Sequence, residues 1–271
     1  MMKKAIFLGA SNTHGVSLHY FRELYNDYEN VNPEWPYPKN LEDELFIETN
    51  RFSKQLSTYL NVEEINLSRA GGSPAESLYL LSQTDLSNVE YIVFELSGFY
   101  NYFDRFFHPN KDEVTSQMMP RTPSEIESFL TNNKNDNIEL KNKIIEWIIN
   151  YNPHEFMNEV FIKLKEFIST NPHIKFSILI WRDTLDFTNI NLQFLEKYIV
   201  KFPLSNDIDN ILVEKYLTES KHRVCDEFKW ADKIQLPSGM RDLHPSLNGH
   251  NKIFEILKSY IDERNTLNNW R

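Results

Sequence analysis

The chain has a single cysteine, Cys225, in 271 residues, so no disulfide can form within it. One lone thiol is in keeping with a reducing compartment. Glycine is scarce, at seven residues, which excludes a collagen-like or glycine-rich repetitive chain. A positive balance is missing too: 29 Lys and Arg stand against 39 Asp and Glu, for a formal net charge of −10. A general nucleic-acid binder draws much of its affinity from a basic face, so that partner is not expected. Long apolar runs are absent. The stretch after Met1-Met2-Lys3-Lys4 stops at Gly9, too short for the core of a signal peptide, and no segment is long enough to cross a bilayer. The expectation is a cytoplasmic chain with no membrane partner. No His-x-x-x-His or clustered-cysteine spacing occurs, and neither Gly-x-Gly-x-x-Gly nor a glycine loop ending in Lys-Ser/Thr is found. No metal and no other cofactor is therefore expected.

What is present is aromatic mass, with 19 Phe, 13 Tyr and 5 Trp, enough to fill a sizeable core. Short apolar runs at 4–9, 62–67, 90–97 and 175–181 read as strands, and a weaker fifth run lies near 231–236. Between them the apolar spacing is helical. Phe21, Leu24, Tyr25 and Tyr28 make one stripe, and Phe52, Leu56, Tyr59 and Leu60 another. Ser73-Pro74-Ala75-Glu76 reads as a capping box with proline in the first helical position. Helices are also expected at 138–150, 153–170, 190–200, 208–220 and 246–262.

Strand–helix alternation predicts an α/β fold: a three-layer α/β/α sandwich around a mostly parallel five-stranded sheet. Residues 1–271 read as one domain, with a helical insertion at about 100–170 between strands three and four. In such sheets the site lies beyond the carboxyl ends of the strands.

Three groups are needed for acyl transfer by serine: the nucleophile, a base, and a residue that orients the base, together with donors for the oxyanion. Ser11 follows the first strand in Gly9-Ala10-Ser11-Asn12. His244 and Asp242 lie in Asp242-Leu243-His244-Pro245, ahead of the last helix. Asn66-Leu67-Ser68-Arg69-Ala70-Gly71 follows the second strand, and Ser97-Gly98-Phe99-Tyr100-Asn101 the third. These four blocks, in this order, resemble those of the SGNH (GDSL-type) hydrolases, and the match is similar to divergent bacteriophage and bacterial members. The resemblance implies a flavodoxin-like fold and a metal-independent serine esterase. Ser11 would be the nucleophile, His244 the base and Asp242 its orienter, with Ser11, Gly71 and Asn101 forming the oxyanion hole. The substrate class it implies is a small-molecule or glycan acyl ester, or a lipid-like one. The chain departs from the family in having Ala10 where Gly-Asp-Ser has aspartate, Asp-x-His for Asp-x-x-His, and no Asp after Asn101.

Each of these residues also has a plainer use. Ser11 can cap a helix, Asp242 can shape a turn, and Gly71 and Gly72 can serve the turn alone. Asn12, Thr13 and His14 either line the pocket or continue the turn, and Gly72 and Arg182 are further candidates for substrate contact. His250, at an apolar helical position, reads as a packed or capping histidine. Two other functions stay open: a binding module on a catalytically decayed SGNH-like scaffold, and a flavodoxin-like phosphate or nucleotide binder using Ser11 to Gly15.

Overall fold

The computed structural model describes residues 2–23, 38–97, 153–181, 189–203, 208–228, 242–267 and 270. Its centre is a parallel sheet of four strands, β1 (Lys4–Leu8), β2 (Glu63–Asn66), β3 (Val89–Leu96) and β4 (Lys175–Ile180), in the order β2-β1-β3-β4. The chain moves outward from β1 to β2, then returns to place β3 on the other side of β1. That reversal makes the β1/β3 crevice the switch point of the sheet, where open α/β sheets bind ligands.

β1, β3 and β4 are apolar on both faces because helices cover both. Ile6, Leu8, Ile92, Phe94, Leu96, Phe176, Ile178 and Ile180 point into one core. Their neighbours in sequence, Ala5, Phe7, Tyr91, Val93, Leu179 and Trp181, point into the other. The first core is closed by α4 (Pro74–Ser82), α5 (Pro153–Thr170) and α6 (Ile190–Leu195), through Leu81, Val160, Leu164 and Leu195 among others. The second is closed by α3 (Phe52–Leu60), α7 (Val213–Glu219) and the long α9 (Leu247–Leu267). On α9 the buried positions His250, Ile253, Leu257, Ile261 and Arg264 repeat every three or four residues, the stripe a helix needs to lie on a sheet.

Several boundaries differ from the sequence reading. Phe21 closes a 3-10 turn, Leu18–Phe21, and the rest of the expected helical stripe, Leu24, Tyr25 and Tyr28, lies outside the described residues. A helix not anticipated, α2 (Leu41–Asn50), precedes α3; it starts at Asn40, whose side chain accepts the Asp43 N–H at 2.9 Å. The 190–200 and 208–220 segments are broken, each pairing a short helix with a 3-10 turn at Glu196–Tyr198 and Ile208–Ile211. The expected fifth strand at 231–236 is outside the described residues. Next to β4, its edge is met by two isolated parallel bridges, Ile178 with Ile199 and Ile180 with Leu212. Of the expected insertion, α5 packs in the sandwich, and residues 98–152 are not among those described.

Candidate active site

After β1 the chain turns directly into the short helix α1 (Ser11–His14), with Ser11 as its first residue. Gly15 N–H and Val16 N–H both return to the Ser11 carbonyl, at 3.0 and 3.1 Å, so the backbone from Ser11 to Val16 is a closed unit. This unit leads into Ser17, a fully buried non-glycine residue in the left-handed region, at φ 71°.

At the other end of the chain, Asp242 and His244 sit in a loop fastened by backbone pairing. Val224 N–H donates to His244 O at 3.0 Å, Cys225 N–H to Asp242 O at 3.2 Å, and Ser246 N–H to His222 O at 2.9 Å. These bonds tie the loop to the start of α8 (Val224–Glu227). The Ser246 hydroxyl then accepts the Gly249 N–H at 3.0 Å in the first turn of α9, and it also meets Glu227. The histidine is therefore held from both sides of its loop.

Asp242 Oδ1 lies 2.7 Å from His244 Nδ1 and also accepts the His244 N–H at 3.1 Å. The other oxygen, Oδ2, accepts the Ser17 hydroxyl at 2.6 Å. Burial by itself raises the Asp242 carboxyl. The charge of His244 and the hydrogen bonds from the His244 ring, Ser17 and the His244 N–H outweigh it and hold the group below the usual carboxylate range. An ionised carboxylate only accepts, so Nδ1 carries a proton and Nε2 presents its lone pair whenever the ring is neutral. That is the tautomer a general base requires.

A second carboxylate lies behind the turn that carries Ser11. Glu95, near the end of β3, is wholly buried. Its Oε2 accepts the Ala10 N–H at 3.2 Å, the Thr13 N–H at 3.3 Å and the Thr13 hydroxyl at 2.5 Å, and its Oε1 accepts the Asn12 amide at 3.2 Å. Burial pushes the Glu95 carboxyl up, and these four donors pull against it.

The glycine block is joined to the same turn. Arg69 N–H donates to Gly9 O at 3.1 Å and Leu67 N–H to Phe7 O at 2.8 Å, while the Asn66 amide reaches Thr13 O at 3.4 Å. Gly71 turns at φ 73°, and a methyl group on Gly72 would stand 3.1 Å from Gly9 O. Ser73 caps α4 by accepting the Glu76 N–H at 3.1 Å, with Pro74 in the first turn.

The structure thus brings Asp242 and His244 together and sets Gly72, next in sequence to Gly71, against the Gly9 carbonyl two residues before Ser11. It does not join Ser11 to His244: among the described residues no hydrogen bond links the Ser11 hydroxyl to the ring. Asn12 is buried with its amide turned onto Glu95, while His14, half-buried, closes α1. Asn101 and Arg182 fall outside the described residues. His250 is a packed histidine whose Nδ1 accepts the Phe52 N–H at 3.3 Å. Two site residues escape a reading of the sequence. Ser17 gives no signal, being an ordinary serine in a loop. Glu95 does leave one, as an acid inside an apolar strand, where a charge is rarely buried without partners.

No protein-family model and no curated protein sequence matches the chain. Solved structures align over nearly all of it at low identity. They include a phospholipase A1 from Streptomyces albidoflavus NA297, at 11% identity over 96% of this chain and 99% of that one, with a TM-score of 0.43. A family two carbohydrate esterase from Clostridium thermocellum, in complex with cellohexaose, aligns at 14% identity over 99% of this chain, with a TM-score of 0.40; the chain spans 65% of that protein's length. A protein from Desulfitobacterium hafniense DCB-2, described as lipolytic and of the G-D-S-L family, aligns at 12% identity over 95% of this chain and 98% of that one, with a TM-score of 0.36. At such TM-scores these likenesses carry no argument about activity. The chain itself has an α/β fold with a parallel sheet flanked by helices and, beyond its strand ends, a Ser17–Asp242–His244 network of the kind found behind a catalytic histidine.

Proposed function

We propose that the chain is a serine hydrolase of the SGNH type that cleaves an ester, on an O-acylated carbohydrate or a lipid-like acyl group. Ser11 attacks the carbonyl carbon and His244 Nε2 takes its proton. Asp242 holds the ring, and the imidazolium returns the proton to the departing alcohol, leaving the acyl group on Ser11. Water, deprotonated by His244, then attacks that acyl carbon, the acid leaves, and the proton returns to Ser11 Oγ. The Ser11 N–H, Gly71 N–H and Asn101 amide receive the oxyanion, with Asn12, His14, Gly72 and Arg182 around the substrate. One observation supports this reading above the others. The Asp242–His244 pair is built, and the second carboxylate oxygen is tied by Ser17 to the segment that begins at Ser11. Ser17 itself is not the nucleophile in this reading, because its hydroxyl is spent on the carboxylate and is fully buried.

The test is covalent labelling by a fluorophosphonate at neutral pH, followed by peptide mapping. Label on Ser11, lost in Ser11→Ala and His244→Ala, is the expected result. A folded wild type that takes no label overturns it. The second reading, a binding module on the same scaffold, draws on the lack of a Ser11–His244 hydrogen bond among the described residues. It expects a bound glycan whose affinity is unchanged in Ser11→Ala.

A further inference from the structure

Glu95 has no part in the proton transfers above, yet the residues around Ser11 are arranged about it. Its carboxylate binds the turn on both sides of the serine: Ala10 before it, Asn12 and Thr13 after it. The local sequence follows from that contact. A side chain at position 9 would run into Glu95, since an added Cβ would lie 2.7 Å from the Glu95 Cβ and equally close to Thr13 Oγ1. Ala10 is fully buried, and its N–H donates to the carboxylate. Asn12 and Thr13 supply the two side-chain donors. Gly9, Ala10, Asn12 and Thr13 thus all meet one acid far along the chain, 82 to 85 positions away for the three that donate to it.

We propose that Glu95 is the positioning residue of the nucleophile turn, fixing the backbone on either side of Ser11 so that its hydroxyl is presented at the β1/β3 crevice. This rests on the reading of Ser11 as nucleophile. Four hydrogen bonds from three residues over-determine the turn, and a nucleophile displaced by a fraction of an ångström loses much of its reactivity. Glu95 touches neither substrate nor reacting atoms and acts through the geometry of the loop.

The test compares second-order labelling by a fluorophosphonate, and kcat and KM for an activated acetate ester, in Glu95→Gln, Glu95→Ala and Thr13→Val, each with its thermal midpoint. Thr13→Val keeps the shape and removes one donor. It is expected to slow labelling about tenfold, with kcat falling and KM held, while the thermal midpoint falls by the few degrees that loss of one bond to a buried carboxylate implies. Glu95→Gln keeps an oxygen for Ala10 and Thr13, and Asn12 can turn its amide to meet the new NH₂, so it retains more reactivity than Glu95→Ala. An inert wild type overturns the Ser11 reading and the positioning role with it. A reactive wild type, with labelling unchanged in Thr13→Val and in folded Glu95→Ala, overturns the positioning role alone.

Discussion

Ser17 and Asp242 are 225 positions apart in the chain and joined by a 2.6 Å hydrogen bond in the fold. The bond fastens the loop of His244 to the segment that begins at Ser11, and it satisfies the carboxylate oxygen that His244 does not use. It also accounts for the backbone of Ser17. A non-glycine residue at positive φ stores strain of about 1 kcal/mol or more, which a charge-assisted bond of about 1.5–3 kcal/mol offsets.

Ser17→Ala and Ser17→Gly separate these effects. Both remove the hydroxyl, but glycine also relieves the positive φ. Each is expected to lower kcat about 10- to 100-fold, as the loss of one bond to a buried charge implies. Urea unfolding should find the glycine variant more stable than the alanine one. Full activity in both variants would mean that Asp242 is held without Ser17.

Asp242→Asn keeps the size of the side chain but offers the His244 ring an amide. The ring then no longer has its Nδ1–H favoured, and a fall in kcat of about 10³- to 10⁴-fold is expected. Steady-state ester hydrolysis measures it, with circular dichroism checking that the fold is kept. A loss of less than tenfold would remove Asp242 from the site.

Acid should destabilise the fold through two histidines. His250 is pushed down to about 3, by burial first and then by the charges of His244 and Arg51. His19 is pushed down to about 4 by burial, against the pull of Asp43 and Asp242. Both are ordinary histidines near 6.5 once unfolded, so the unfolded chain binds more protons as the pH drops below that value. Their contribution is complete above pH 6.5 and is lost on going down toward 4 and 3, amounting to about 2 kcal/mol from each at pH 5. His250→Asn preserves an acceptor for the Phe52 N–H but cannot titrate, so its urea midpoint should fall less than that of wild type between pH 7.5 and 5. A slope equal to that of wild type would contradict the assignment.

Gly72→Ala tests the seam between the glycine block and the turn that carries Ser11. The added methyl would stand 3.0 Å from Arg69 O and 3.1 Å from Gly9 O, both of them backbone atoms that cannot swing aside. A cost of about 1–3 kcal/mol is expected, together with slower fluorophosphonate labelling as Gly9 and its neighbours shift. Unchanged stability would show that the two loops are not in contact.

Much of the framework is legible along the chain because burial leaves a local imprint. β1, β3 and β4 are short apolar runs, since both faces of a central parallel strand are covered. Ser73-Pro74 marks the start of α4, since a helix must satisfy its first N–H groups from nearby. The helix α2 was not legible. Its only buried side chains are Asp43 and Ile47, so it carries no apolar stripe, and Asp43 is buried there because Arg22 pairs with it from another element.

The site divides along the same line. Ser11, Gly71 and the Asp242–His244 pair could be singled out from the sequence, because turns at strand ends and residues two apart in one loop are local features. That Asp242 turns one oxygen to His244 and the other to Ser17, and that Glu95 rather than a neighbour at position 10 holds the turn of Ser11, was decided by the tertiary structure. Hydrogen bonds across 82 to 225 positions have no periodicity or spacing to announce them. They exist only once the parallel sheet has brought the ends of β1 and β3 side by side and α9 has carried the last loop over them.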